Sequence, residues 1–233
     1  MIRRLVLLDI DGTLLVTGGA GRAALKTALE TVYGAAGDVD GYDMGGRTIL
    51  EIIRDLLRDT GLTAEEIVAR FPHFRAAWPR ELRRIISEYD VRICPGAPEL
   101  VAELAASEET VLGLITANTE ETAQIKLVAA GFSPRQFEVG AFGDLSENRA
   151  DLIADAIAQA EALTGAHFEP QQVVVIGDSE LDVRTAKETG ARTIAVATGE
   201  HDRERLEAAG ADHVFDDLTN TRQVLRAISS PLL

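Results

Sequence analysis

Two aspartates near the N-terminus, Asp9 and Asp11, are the residues of this sequence with the clearest chemical potential. They follow the apolar run Leu-Val-Leu-Leu at 5–8, and Gly12 comes next. Such a run predicts a strand that is buried on both faces in the middle of a sheet. Side chains two residues apart in an extended chain point to the same side. Two neighbouring carboxylates repel each other unless a cation lies between them or one is protonated. The pair therefore predicts chemistry at the end of a strand, with an ordinary polar turn as the alternative.

A second acidic group, Asp178 and Asp182, follows another apolar run at 173–176. Helix capping is the alternative explanation, with Ser179 or Asp178 as the cap and acidic residues in the first helical turn. Capping accounts for one of these acids. It does not account for two separate strands that end in the same way.

A hydroxyl, an amide and a guanidinium also follow apolar runs. Thr116 and Asn118 come directly after the run at 111–115, and Arg149 begins a helix after a weaker run. Either Thr119 or Asn118 could cap the helix that follows Thr116. The carboxyl ends of parallel strands lie at one edge of a sheet, where ligands bind in open α/β folds. We therefore expect these side chains to lie beside the two acidic groups.

Together these groups match the requirements of phosphoryl transfer. Carboxylates are suitable ligands for Mg²⁺, and an aspartate can attack phosphorus to form an aspartyl-phosphate. A second acid can protonate the leaving oxygen and later activate water. A hydroxyl and a guanidinium can bind the remaining phosphate oxygens.

The elements that must position these groups alternate along the chain. Apolar runs predict five strands, and stretches of helical period lie between them; strands alternating with helices indicate a parallel sheet. The predicted strands lie at 5–8, 111–115, 137–142, 173–176 and 193–196. The expected fold class is α/β, with a Rossmann-like parallel-sheet core.

Residues 16–89 interrupt this alternation with helical patterns and no strand-like run. We expect them to form an inserted α-helical cap domain, with the α/β core formed by residues 1–15 and 90–233. Pro72 and Pro79 are expected to bend or divide the second helix of the insert. The aromatic residues of that helix, such as Trp78, are interpreted as core packing.

The motifs that carry this chemistry resemble those of the haloacid dehalogenase superfamily, in its phosphatase branch with a helical cap. Residues 9–13, Asp-Ile-Asp-Gly-Thr, resemble the first motif of the family. Residues 115–118, Ile-Thr-Ala-Asn, resemble the second motif, and residues 177–182, Gly-Asp-Ser-Glu-Leu-Asp, resemble the fourth. The third motif of the family is usually a lysine; since no lysine lies between Lys126 and Lys187, Arg149 is the candidate that the resemblance implies for that place.

The resemblance implies a role for each residue of these motifs. Asp9 would be the nucleophile and a metal ligand, and Asp11 would be the general acid and base with its backbone carbonyl on Mg²⁺. Asp178 would complete the metal site, which Asp182 would support directly or through water. Among the substrate-binding residues, Thr116, Asn118 and Arg149 would hold the phosphate, and Arg149 would also serve catalysis.

A further candidate lies in the expected cap. Gly46, Arg47 and Thr48 are expected to open a cap helix that faces the active site. Arg47 would then contact an anionic substrate.

Bulk properties narrow the choice of partners and compartment. The net charge of -15 and the pI near 4.7 disfavour nucleic acid and anionic membranes as partners. Cys94 is the only cysteine, which suits a reducing cytosol. No signal or membrane segment is recognised, so a cytoplasmic protein is expected, either a monomer or a homodimer.

The predicted function is hydrolysis of a small phosphorylated metabolite, such as phosphoglycolate or a sugar phosphate, by a Mg²⁺-dependent phosphomonoesterase. A sugar phosphomutase similar to beta-phosphoglucomutase and a non-catalytic regulatory relative are the alternatives. A mutase differs in how well its cap excludes water, which the sequence does not reveal. Asp11 argues against dehalogenation, since dehalogenases of this family typically lack the second aspartate.

Overall fold

Eight strands and nine α-helices occur in residues 4–230, the part of the chain that the computed structural model describes. The strands are β1 (Arg4–Leu8), β2 (Leu15–Val16), β3 (Arg92–Ile93), β4 (Thr110–Thr116), β5 (Val139–Phe142), β6 (Val173–Gly177), β7 (Arg192–Val196) and β8 (His213–Phe215). The helices are α1 (Ala20–Tyr33), α2 (Ile49–Leu57), α3 (Ala64–Ile85), α4 (Ala97–Ala105), α5 (Glu120–Ala129), α6 (Arg149–Thr164), α7 (Glu180–Glu188), α8 (Arg203–Ala208) and α9 (Thr221–Ser229).

Six of the strands form one parallel sheet in the order β5-β4-β1-β6-β7-β8. The strand β1 lies between β4 and β6, and its last residue, Leu8, is in register with Leu114 on one side and Ile176 on the other. This order places the ends of β4 and β6 directly beside the end of β1. The predicted α/β class with a parallel sheet is confirmed.

Helices cover both faces of the sheet, and alternate residues of each central strand face different cores. Val6 and Leu8 belong to the core beneath α4, α5 and α9, whereas Leu5 and Leu7 belong to the core beneath α6. All four are 0% exposed. The continuous apolar character of the run at 5–8 follows from this burial on both faces.

The helices α1, α2 and α3 share a third core of their own. The helix α3 is not divided, because it runs without interruption through both Pro72 and Pro79. Each proline removes one backbone donor, but the apolar face that contains Phe74 packs against α1, where the rings of Phe74 and Tyr33 lie 6.2 Å apart. Thr63 and Glu66 also form a capping box at the start of α3.

Two small features were not predicted. The strands β2 and β3 form a two-stranded antiparallel ribbon where the chain leaves the core for α1 and returns to it. The strand β8 extends the sheet at one edge, but its three residues are too short to give an alternation pattern. No helix among residues 4–230 is both long and apolar enough to cross a membrane.

Candidate active site

The parallel order of the strands brings three predicted site residues to one edge of the sheet. Asp9 directly follows β1, and its backbone N–H donates to the carbonyl of Ile176 at 2.9 Å. Thr116 is the last residue of β4, and Asp178 directly follows β6. Since β4 and β6 flank β1, these three residues all line the same cleft.

Asp9, Asp178 and Asp182 form a buried acidic cluster, in which one carboxylate oxygen of each lies within 4.8 Å of the others. Burial, followed by the charges of Asp182 and Asp11, raises the pKa of Asp9 to about 7, although Arg149 opposes this. Burial and the neighbouring Asp9 raise the pKa of Asp178 well above its usual range. Desolvated anions held this close together are stable when a cation lies among them.

The surroundings of Asp178 fit a small divalent cation. A Cβ on Gly199 would lie 1.6 Å from Asp178 Oδ2, and one on Gly12 would lie 2.3 Å from the same oxygen. Thr13 Oγ1 donates to Asp178 Oδ1 at 3.3 Å. The carboxylate is thus held in a cradle that exists only because both positions are glycines. The available donors are all oxygens, as a hard ion such as Mg²⁺ requires.

Asp182 is already fully engaged by protein groups. Its Oδ2 accepts from Ser179 Oγ at 2.5 Å and from the Ser179 backbone N–H at 3.2 Å. Its Oδ1 accepts from the guanidinium of Arg149 at 2.5 Å. A direct metal bond would displace one of these partners, so the geometry favours the indirect support of the metal site, one of the two roles expected for Asp182.

Arg149 is brought beside the expected nucleophile. Asn148 caps α6, which makes Arg149 the first helical residue, and its side chain is 5% exposed. The guanidinium lies 3.6 Å from Asp9 Oδ1 and also donates to the carbonyls of Arg47 and Ile115. A buried cation therefore lies next to the carboxylate of Asp9.

Asp11 lines the same cleft, and its carboxylate accepts hydrogen bonds from two side chains. Asn118 Nδ2 donates to Asp11 Oδ2 and to Thr116 Oγ1, at 2.8 Å in both cases. Lys126 Nζ donates to the same Asp11 oxygen at 2.6 Å. Thr119 caps α5, and this leaves the side chain of Asn118 available for the site.

Lys126 is a site residue that sequence reasoning missed. Its side chain is 5% exposed, although lysine is rarely buried without a partner. A signal was present in the sequence, since Lys126 continues the buried stripe of α5 that contains Thr122 and Ala123. A lysine on the buried face of a helix predicts an acidic partner.

The expected role of Arg47 is not supported by its position. A helix, α2, does begin directly after residues 46–48, and Thr48 is its N-cap. However, the guanidinium of Arg47 pairs with Glu51, approaches Asp55 and lies 5.4 Å from the ring centroid of Tyr42. These contacts within the helical segment hold the guanidinium, and it does not line the cleft. Only the backbone carbonyl of Arg47 reaches the site, as an acceptor for Arg149.

A cleft of about 410 Å³ lies over the edge of the sheet, between the helical segment and the core. Trp78 lies on its wall while also packing on Phe74 at a centroid distance of 5.7 Å. The aromatic residues of α3 are therefore core, as interpreted, but one of them also borders the site. The other residues lining the cleft include Asp9, Asp11, Thr116, Asn118, Lys126, Arg149 and Asp178 from the core, and Arg22, Leu25, Met44, Gly45 and Gly46 from the helical segment.

Charged pairs join the helical segment to the core around this cleft. Arg75 on α3 lies 2.7 Å from the carboxylate of Asp144, whose side chain is only 3% exposed. Arg54 on α2 pairs with Glu147. These contacts hold the helical segment against the side of the core from which Arg149 projects.

The chain is similar to several known proteins. A family model described as HAD-hydrolase-like matches residues 150–221. Phosphoglycolate phosphatase of Rhodospirillum rubrum is 27% identical over 228 residues, which cover 92% of this chain and 88% of that protein. Phosphoglycolate phosphatase of Synechococcus elongatus is 28% identical over 137 residues, which cover 58% of this chain and 60% of that protein. The crystal structure of a hydrolase from Pseudomonas syringae superposes with a TM-score of 0.72 at 25% identity, and the match covers 98% of this chain and 100% of that one.

Proposed function

We propose that this chain is a phosphatase of the haloacid dehalogenase superfamily, and that it hydrolyses phosphate monoesters of small metabolites with Asp9 as its nucleophile. The observation that carries the proposal is the position of Asp9, buried between Asp178 and the guanidinium of Arg149 at the floor of a cleft. A carboxylate that must attack an anionic phosphate needs positive charge on both sides. Arg149 supplies that charge from one side.

In the proposed first step, Asp9 attacks the phosphorus atom of the substrate. A bond forms between an Asp9 oxygen and phosphorus, and the bond from phosphorus to the leaving oxygen breaks. Asp11 delivers a proton to that leaving oxygen. The phosphate oxygens are held by Arg149 and by the hydroxyl of Thr116, which accepts from Asn118 and so keeps its own hydrogen for donation.

In the proposed second step, water hydrolyses the aspartyl-phosphate. Asp11 takes a proton from the water molecule as that molecule attacks phosphorus. The bond from phosphorus to Asp9 then breaks, and the carboxylate of Asp9 is restored. The same residue thus acts first as an acid and then as a base, and each proton transfer is typically worth about 10²–10⁴-fold in rate.

We also propose Mg²⁺ as the cofactor, held by Asp9, Asp178 and the backbone carbonyl of Asp11, with Asp182 in support. The acidic cluster and the glycine cradle around Asp178 support this assignment. The ion would lower the electrostatic repulsion between Asp9 and the phosphate. It would also hold Asp9 and Asp178 ionised at neutral pH.

For the substrate, we propose a small phosphorylated carboxylate or sugar. The cleft of about 410 Å³ suits a ligand of that size, and two relatives are named phosphoglycolate phosphatase. We further propose that residues 16–89 act as a cap over a core formed by 1–15 and 90–233. Because Cys94 is buried and unpaired, we place the protein in the cytosol.

The test is phosphate release from a panel of phosphomonoesters, with Mg²⁺ and with a chelator. We expect release that requires Mg²⁺ and is abolished in Asp9→Asn. Asp59→Asn, at an exposed position, is the matched control and should keep full activity. Normal turnover by Asp9→Asn would refute the aspartyl-phosphate mechanism, whereas conversion of a sugar phosphate to its isomer without release would identify a mutase.

A further inference from the structure

We propose that Lys126 is a positioning residue for Asp11, and that it fixes which oxygen of Asp11 exchanges protons with the substrate. This inference rests on the proposed function of Asp11 as the general acid and base. It concerns a residue that lies in none of the motifs identified in the sequence.

The geometry around Asp11 is asymmetric. Lys126 Nζ and Asn118 Nδ2 both donate to Oδ2, at 2.6 and 2.8 Å. The other oxygen, Oδ1, accepts no hydrogen bond from residues 4–230. Asp11 lines the cleft, and its side chain is 43% exposed. Oδ2 is poorly placed to carry a proton, because that proton would lie close to the hydrogens that Lys126 and Asn118 donate to Oδ2. Oδ1 is therefore the oxygen that gives its proton to the leaving group.

Lys126 is itself held tightly where α5 of the core meets α1. A Cβ on Gly21 would lie 3.2 Å from Lys126 Nζ, so the ammonium fits beneath α1 because position 21 has no side chain. With 5% exposure, Lys126 has little freedom to point elsewhere.

The role of Lys126 can be tested with two substrates that differ in how much their leaving groups need a proton. A leaving group that is stable as an anion needs no proton when its bond to phosphorus breaks, whereas a poor leaving group does. If Lys126 acts through Asp11, its loss should slow the transfer of phosphate from phenyl phosphate much more than from p-nitrophenyl phosphate. The quantity to compare is kcat/KM, which reports the first irreversible step and excludes the later attack by water.

The experiment compares Lys126→Met with the wild type on these two substrates in the presence of Mg²⁺. We expect kcat/KM to fall about 10- to 100-fold for phenyl phosphate, within the range of a general acid, and less than about threefold for p-nitrophenyl phosphate. Gln124→Met, at an exposed position of the same helix, is the control and should change neither value. Equal losses for both substrates, or no loss for either, would overturn the proposal.

A crystal structure of Lys126→Met provides a second measurement that does not depend on activity. We expect the Asp11 carboxylate to leave the orientation that it has in the wild type, or to occupy several. If Asp11 keeps one unchanged orientation, the positioning role is wrong even if the wild type hydrolyses phosphomonoesters. A wild type without activity on any phosphomonoester would instead count against the proposed function, and the structural comparison would still decide the role of Lys126.

Discussion

Replacing Asp9 with asparagine should stabilise the metal-free protein at pH 8, although the same change should abolish its turnover. In the folded protein, burial and the neighbouring carboxylates raise the pKa of Asp9 from 3.8 to about 7. Each pKa unit corresponds to about 1.4 kcal/mol, so ionising Asp9 without a metal costs up to about 4 kcal/mol. Asparagine has nearly the same shape and carries no charge, so it removes that cost.

The sign of the effect follows from proton linkage. A carboxyl group whose pKa is raised by folding binds its proton more tightly in the folded state. Its contribution to stability is present below pH 4 and is lost as the pH rises through 7. The metal-free wild type should therefore lose stability between pH 4 and pH 8, and Asp9→Asn should lose much less. The two proteins should be similar in stability below pH 4.

Thermal unfolding in the presence of a chelator is the assay. For a chain of this size, 1 kcal/mol changes the melting temperature by about 2–4 °C, so Asp9→Asn should melt of order 10 °C higher than the wild type at pH 8. Saturating Mg²⁺ should raise the melting temperature of the wild type and reduce this difference. Asp59→Asn should melt like the wild type under every condition. The reasoning fails if Asp9→Asn is no more stable than the wild type at pH 8 without metal.

Two further predictions concern the cradle of Asp178 and the contact between the helical segment and the core. Gly199→Ala would place a Cβ 1.6 Å from Asp178 Oδ2, which would force the carboxylate to move. We therefore expect the affinity for Mg²⁺, measured by calorimetry, to fall about 10- to 100-fold. An unchanged affinity would show that Asp178 does not need this cradle. Arg75→Met would leave the carboxylate of Asp144 buried without its partner, and we expect a loss of about 1–3 kcal/mol in the free energy of unfolding by urea. Because burial already raises the pKa of Asp144 and protonation would relieve the unpaired charge, this loss should be larger at pH 8 than at pH 5. Arg70, on the same helix, lies 3.9 Å from Glu66 at the surface, so Arg70→Met is the control and should change the free energy of unfolding by less than about 0.5 kcal/mol. If Arg75→Met and Arg70→Met have equal effects, the argument from the buried Asp144 is wrong.

The sheet and its chemically active edge could be predicted because the relevant signals are local. A run such as 173–176 is apolar at every position, since it is covered on both faces, and it ends where polar groups begin. Once five such runs alternate with helices, the parallel arrangement brings their carboxyl ends together. The sequence therefore predicts that Asp9, Thr116 and Asp178 lie at the same edge of the sheet.

The sequence did not predict which of two neighbouring polar residues caps each helix. The sequence allowed Ser179 or Asp178 as one helix cap, and Thr119 or Asn118 as another. In the structure Ser179 and Thr119 are the caps. Either choice has similar local energy, and the contacts of Asp178 and Asn118 with residues distant in the chain determine which one is adopted.

The sequence also did not predict the contacts of two long side chains, Arg47 and Lys126. Arg47 pairs with Glu51 one turn away on α2, so a local partner holds it out of the cleft. Lys126 reaches Asp11 across 115 positions of the chain. Flexible side chains can select among several partners, and the packing of helices determines which partner lies within reach.

The sequence by itself therefore determined the α/β class, the parallel sheet and the carboxylates at the edge of that sheet, because strand burial and the alternation of elements are recorded in local patterns. Only the tertiary structure decided that Asp182 binds Arg149 and Ser179, that Lys126 and Asn118 share one oxygen of Asp11, and that Arg47 lies outside the cleft. These outcomes depend on distances of a few ångströms between elements that are far apart in the chain. Such distances are set by how the helices pack on the sheet and on one another.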